Sequence, residues 1–244
     1  MNTMDEFLKK IRAILQSKEL RGKIFFVIMM LVLFRAAAHV PIPGVNLENL
    51  RQFFSSNQIF GLLNLFSGGT LENFSVIMLG VAPYITSSII FQLLAMIVPR
   101  LEELQKEGEA GQRKINQWTR ILTVPLAFLQ GYGTITLLRQ SSLPIINDVS
   151  AFKILTIMLT ITAGTMFLMW IGELISEKDI GNGISLLIFA GIIAGLPTTL
   201  RNAFVTFDKS QLIPWILVLL VGLITVVGVV LLNEGQRKIP ISHA

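Results

Sequence analysis

Apolar residues run in long unbroken stretches along this chain, and the charged residues fall between them. An ionised side chain is costly at mid-bilayer, so marking every Asp, Glu, Lys and Arg marks the edges of candidate spans. Five long charge-free intervals result: Asn73 to Pro99, Ile121 to Leu138, Ile154 to Gly172, Ile180 to Leu200 and Ser210 to Asn233. Each is close to or above the roughly 20 residues a helix needs to cross. A sixth begins at Ile24. Arg35 interrupts it after Phe34, but the apolar character resumes through Val40, and an arginine near a helix end can snorkel its head group into the interface. The pattern predicts six transmembrane helices in an all-α polytopic membrane protein.

Between Asp5 and Leu20, Phe7, Leu8, Ile11, Ile14 and Leu15 recur at helical spacing with basic residues among them, which predicts an amphipathic helix lying on the membrane. The run from Ile24 has the basic flank of a signal peptide. No convincing small-x-small site follows it, and five more spans do, so it reads as a retained first helix. Two prolines and a glycine in Pro41-Ile42-Pro43-Gly44 set a stiff turn. Ile59 to Phe66 is too short to cross and is either a re-entrant or an interfacial helix, ended by Ser67-Gly68-Gly69-Thr70. Pro83 should kink or restart the second span, and Gly181-Asn182-Gly183 opens a fifth span whose dense apolar part, Ile184 to Leu196, is short. Interrupted segments of this kind point to a polar pathway through a bundle, because irregular backbone survives at depth only where protein or water satisfies it.

Composition agrees with this reading: 52% of the 244 residues are hydrophobic and 14% charged, too little polar surface for a water-soluble enzyme. The net charge of +5 acquires meaning from its placement. With the N-terminus inside, fourteen basic residues fall in cytoplasmic segments and five (Arg51, Arg139, Lys153, Arg201, Lys209) in outer ones, an asymmetry that predicts both termini inside.

Candidate chemistry is sparse. The absence of cysteine excludes thiolate catalysis and cysteine metal sites, and with two histidines in all, His39 at an outer helix end and His243 in the tail, a two-histidine metal site or a histidine relay is not expected. Glu173 and Glu234 fall at inner helix ends, where interfacial solvation is the ordinary expectation. Gly181-Asn182-Gly183 lacks the preceding strand and the lysine of a phosphate-binding loop, so it reads as a helix break. The stretch Lys106 to Lys114 mixes signs and glycines, as a solvated loop does; a docking surface for an acidic partner is the alternative.

Several long blocks together carry a family resemblance. Pro41-Ile42-Pro43-Gly44, Asn64-Leu65-Phe66-Ser67-Gly68-Gly69, Pro83-Tyr84-Ile85-Thr86-Ser87-Ser88-Ile89-Ile90-Phe91-Gln92-Leu93-Leu94, Lys106 to Arg120, Gly164 to Glu173, Gly181 to Pro197 and Glu234-Gly235-Gln236-Arg237-Lys238 follow one another in the order found in SecY, the channel subunit of the bacterial protein translocase. The chain resembles that family over nearly its whole length. The resemblance implies a non-enzymatic channel, without cofactor or metal, for unfolded polypeptides and signal peptides in the bacterial inner membrane. Its partners would be SecE, SecG and either the SecA motor or a translating ribosome. The family has ten helices in two inverted halves, so this chain resembles the first half plus helix six, with the C-terminal half expected from elsewhere. A secondary transporter or another membrane insertase is the alternative.

The same resemblance divides the chain into a cytoplasmic segment 1–23, helices one to five over 24–200 with a plug at 57–70, and an outer loop, helix six and the start of a cytoplasmic loop over 201–244. It implies an apolar pore ring at Val81, Ile85, Ile184 and Ile188. Each pair has i, i+4 spacing and so shares a helix face. It further implies a plug formed by Ile59, Phe60, Gly61, Leu62, Leu63, Asn64, Leu65, Phe66, Ser67, Gly68 and Gly69, and a lateral gate to lipid at Thr86, Ile89, Ile90 and Gln92. Cytoplasmic partner contacts would come from Lys106, Arg113, Lys114 and Arg120.

Overall fold

The computed structural model describes residues 17–56, 64, 67–141, 144–146, 150–205 and 212–235. The amphipathic segment expected before residue 17, most of the plug (Ile59 to Leu63, Leu65 and Phe66) and the tail from 236 lie outside these residues. The regular elements are helices: α1 Lys18–Ala38, α2 Leu47–Ser56, α3 Ala82–Ile97, α4 Pro99–Lys106, α5 Glu109–Arg139, α6 Ala151–Ser176, α7 Gly183–Val205 and α8 Leu212–Glu234. The chain forms two compact units, Met1–Leu196 and Pro197–Ala244.

Local chemistry explains most helix boundaries. Ser17 caps α1 by accepting from the Leu20 N–H, Ser150 caps α6 by accepting from Lys153, and the Asn182 carboxamide caps α7 by accepting from Ser185. Prolines do the rest around α3. Pro83 sits in the first turn of α3, where a missing N–H costs nothing. Pro99 forces Val98 into an extended conformation, which ends α3, and then starts α4 at a bend of 104°.

Among the described residues, α5, α6 and the Ile213–Glu234 part of α8 are long and apolar enough to cross a membrane, and the bent α3–α4 pair makes a fourth candidate. The uncharged run of α1 is confined between Lys23 and Arg35, and the apolar part of α7 is the shorter Gly183–Thr198. The expected start of the second span needs correction. Helix was anticipated from Asn73, yet residues 73–81 form a chain of turns. Phe74 (φ 43°) and Gly80 (φ 58°) are left-handed there, which breaks the helical hydrogen-bond ladder. The backbone of this segment pairs instead with the proline turn: Ile42 N–H donates to the Phe74 carbonyl (2.9 Å) and Val76 N–H to the Val40 carbonyl (3.0 Å). These bonds and its own turns satisfy an irregular backbone at a buried position.

In the first unit, α6 runs through both apolar cores. Ile157 and Ile161 join Ile42, Leu50, Phe74 and Met78 in one cluster, while Leu168, Ile171 and Ile175 join Val27, Phe34 and Leu187 in the other. Gly164 lies between these groups. A Cβ there would collide with the Val76 carbonyl, so glycine lets the irregular segment lie directly on α6. In the second unit, α8 is apolar up to Asn233, and its large apolar side chains from Ile213 onward are exposed apart from the half-buried Trp215.

Candidate functional site

The site is built where the irregular segment becomes α3. Val81 precedes the first turn and is buried, and the Ile85 N–H donates to its carbonyl at 3.0 Å, which fixes the two side chains one above the other. Ile184 and Ile188 form the corresponding pair on α7. All four belong to one apolar cluster, in which Val81 is buried and the three isoleucines are half-buried. Val81, Ile85 and Ile188 also line a cavity of about 610 Å³, together with Met78, Gln130 and Thr134. Ile184 does not line it; its side chain lies over Gly172 of α6.

Gln130 and Thr134 were not singled out from the sequence, although a glutamine inside the charge-free interval Ile121 to Leu138 is a usable signal. Thr134 donates its hydroxyl to the Gln130 carbonyl (2.9 Å), so it presents mainly its methyl group. The lining is therefore mostly apolar, with one primary amide.

Of the plug residues, Asn64, Ser67, Gly68 and Gly69 are described. Gly68 (φ 70°) and Gly69 (φ 81°) are both left-handed. Gly68 packs so closely on α7 that a Cβ would stand 2.8 Å from the Gly191 Cα, and its carbonyl accepts from the Arg35 guanidinium at 2.8 Å. Arg35 thus bonds to protein, whereas its position near a helix end had suggested snorkelling to the interface. Asn64 is held to Glu72 in both directions, donating to its carboxylate (2.8 Å) and accepting from its N–H (3.0 Å).

The residues placed at the lateral gate lie on α3. Ile89 is exposed and Ile90 half-buried. The Thr86 hydroxyl donates to the Ala82 carbonyl (3.0 Å) and the Gln92 amide to the Ser88 hydroxyl (3.2 Å), so both polar groups bond within their own helix in this structure.

On the opposite side of α3 the bonds cross between helices. Buried Ser87 donates to the Thr119 carbonyl of α5 at 2.7 Å. The next residue, Arg120, pairs with Glu173 of α6 at 2.5 Å, so this glutamate at a helix end is partnered by protein where solvation had been expected. The other basic residues placed at a cytoplasmic contact are also paired: Lys106 with Glu102 (2.6 Å), Arg113 with Glu109 (3.6 Å) and Lys114 with Glu107 (3.9 Å). These three pairs are well exposed and contribute little to stability. They do neutralise the loop locally, which weakens the case for a purely electrostatic docking surface.

Comparison with known proteins places the chain in a family. The family described as SecY matches residues 75–244. The protein translocase subunit SecY of Corynebacterium glutamicum is 45% identical over 239 residues, covering 93% of this chain and 53% of that protein. The subunits of the same name from Mycobacterium tuberculosis (43% over 242 residues; 94% of this chain, 54% of that protein) and Streptomyces coelicolor (42% over 245 residues; 94% and 55%) are similarly related. The chain thus spans about half the length of these curated relatives. With the family match extending over more than half of its residues, the chain belongs to the SecY family.

Proposed function

We propose that this chain forms the first part of a channel subunit that passes unfolded secretory polypeptides across the bacterial inner membrane and admits membrane proteins into it. The observation that carries the reading is the convergence of Val81, Ile85, Ile184 and Ile188 in one apolar cluster, three of them facing a common cavity. An apolar constriction bars ions by excluding water, yet makes few polar contacts that would select one substrate sequence. That combination suits a conduit for many polypeptides better than a secondary transporter, whose site must recognise a solute. Six crossings, with α1 first and α8 sixth and the N-terminus in the cytoplasm, complete the proposal, together with SecE, SecG, SecA or a ribosome, and a C-terminal half as partners.

In this reading the segment 57–70 stoppers the outer side of the ring, tethered through Gly68 and Arg35. Thr86, Ile89, Ile90 and Gln92 face a lipid-side seam. Lys106, Arg113 and Lys114 contribute to a cytoplasmic contact by exchanging their weak intramolecular pairs for partner groups.

Crosslinking tests the channel. In the complete channel holding a stalled secretory precursor, Ile85→Cys and Ile188→Cys are expected to crosslink to the precursor, while Leu129→Cys, on an exposed apolar position of α5, is not. Crosslinks at Leu129 in preference to the two isoleucines would sink the reading. Orientation is tested with cysteines introduced into this chain, which has none of its own. An impermeant thiol reagent should label Gln140→Cys from outside the cell and Gln112→Cys only after the membrane is opened; the reverse pattern would invert the topology.

A further inference from the structure

Three short-range connections join the two helices that carry the ring. The first links α3 to α5: Ser87, half a turn beyond Ile85, donates to the Thr119 carbonyl at 2.7 Å and is fully buried. The second links α5 to α6: Arg120 pairs with Glu173 at 2.5 Å, and the glutamate side chain retains 23% exposure. The third links α6 to α7. Gly183 begins α7 so close to the Gly172 carbonyl that no Cβ would fit. Its N–H donates to the Ser176 hydroxyl (2.9 Å), which in turn donates back to the Gly172 carbonyl (3.0 Å). Glu173 is therefore in the helical turn on which α7 is seated, and Arg120 is adjacent to the residue that receives α3.

The first and third connections each end on a backbone carbonyl, through the Ser87 and Ser176 hydroxyls, and the third is reinforced by the close approach of Gly183 to Gly172. The middle one is a pair of side chains. Charge-assisted hydrogen bonds of this kind are short and directional, and partial exclusion from water strengthens them relative to the exposed pairs of the cytoplasmic loop. We propose that the Arg120–Glu173 pair is a positioning link that holds α3 and α7 at a fixed separation and thereby sets how tightly Ile85 closes against Ile188. The inference rests on the channel reading. It gives Arg120 a role inside the bundle in addition to the cytoplasmic contact suggested by its charge.

The test uses the complete channel with the cysteine pair Ile85→Cys/Ile188→Cys joined by a short bifunctional reagent in the closed state. Relative to the parent pair, adding Arg120→Gln is expected to lower the crosslinking yield about threefold, in line with the coupling typical of contacting groups. Arg120→Lys should recover part of the yield, and the exchange Arg120→Glu/Glu173→Arg most of it. An unchanged yield in Arg120→Gln overturns the proposal. So does a fall that the exchange fails to reverse, because the loss would then come from packing of the arginine stem. Ion leak through the same Arg120→Gln channel without the cysteines should rise as the yield falls. A yield that responds as expected while conductance stays at the wild-type level would keep the link between helices and reject the ring that those helices are proposed to form.

Discussion

Replacing Ile85 and Ile188 together with serine is expected to raise the small-ion leak of the closed channel well above the parent's residual leak. Both side chains border the same cavity, and both belong to the apolar cluster around Val81. An isoleucine fully withdrawn from water is worth about 1.5–3 kcal/mol, and these two are only half-buried. A combined drop in the wetting barrier of about 1.4 kcal/mol is a conservative figure and corresponds to about tenfold more current. In the proposed channel, translocation of polypeptide should persist, because an apolar ring makes no bond specific to a substrate. The contrasting control is Ile184→Ser, whose side chain lies over Gly172 and outside the cavity lining; it should leak less than either cavity-facing replacement. Planar-bilayer currents equal to the parent's in the double variant would remove Ile85 and Ile188 from the barrier.

The second large effect is a loss. Reconstituted by itself, this chain is expected to support no translocation of a secretory precursor above background. The residues proposed for the ring come from two helices only, which leaves a wall on one side of any path. On α3, Ile89, Leu93, Met96 and Ile97 are exposed beside Gln92, whose amide has a partner only one turn away in the same helix. Placed against lipid, poorly satisfied polar groups cost several kcal/mol each, so a complementary set of helices is required to cover this face. Supplying the remaining half as a separate chain should restore transport. Robust transport by the isolated chain would refute the account of two halves.

Much of this was legible in the order of residues. The charge-free intervals located α5, α6 and α8, since burying an ionised group in lipid is so costly that charges mark span edges regardless of how the spans pack. Pro83 and Pro99 mark helix starts, and Asn182 a cap, because each acts on its immediate neighbours. The i, i+4 pairs Val81/Ile85 and Ile184/Ile188 were likewise local features. That all four share one cluster, and that Ile184 alone of them turns away from the cavity, was not.

Tertiary structure alone decided what happens where chain segments meet. The interval from Asn73 reads as helix because its residues are apolar, but an apolar run has no means of recording that residues 40–42 will take up its backbone hydrogen bonds. The same holds for charge. Sequence places Arg35, Arg120 and Glu173 near helix ends, where water would satisfy each of them. Only the packing of α1 against the Gly68 turn, and of α5 against α6, supplies Arg35 with a carbonyl and Arg120 with a carboxylate. Propensity, capping and hydropathy act over a few residues and are written locally. The partner of a polar group 33 or 53 positions away is set by which helices come together, and that depends on the summed fit of both apolar cores around α6.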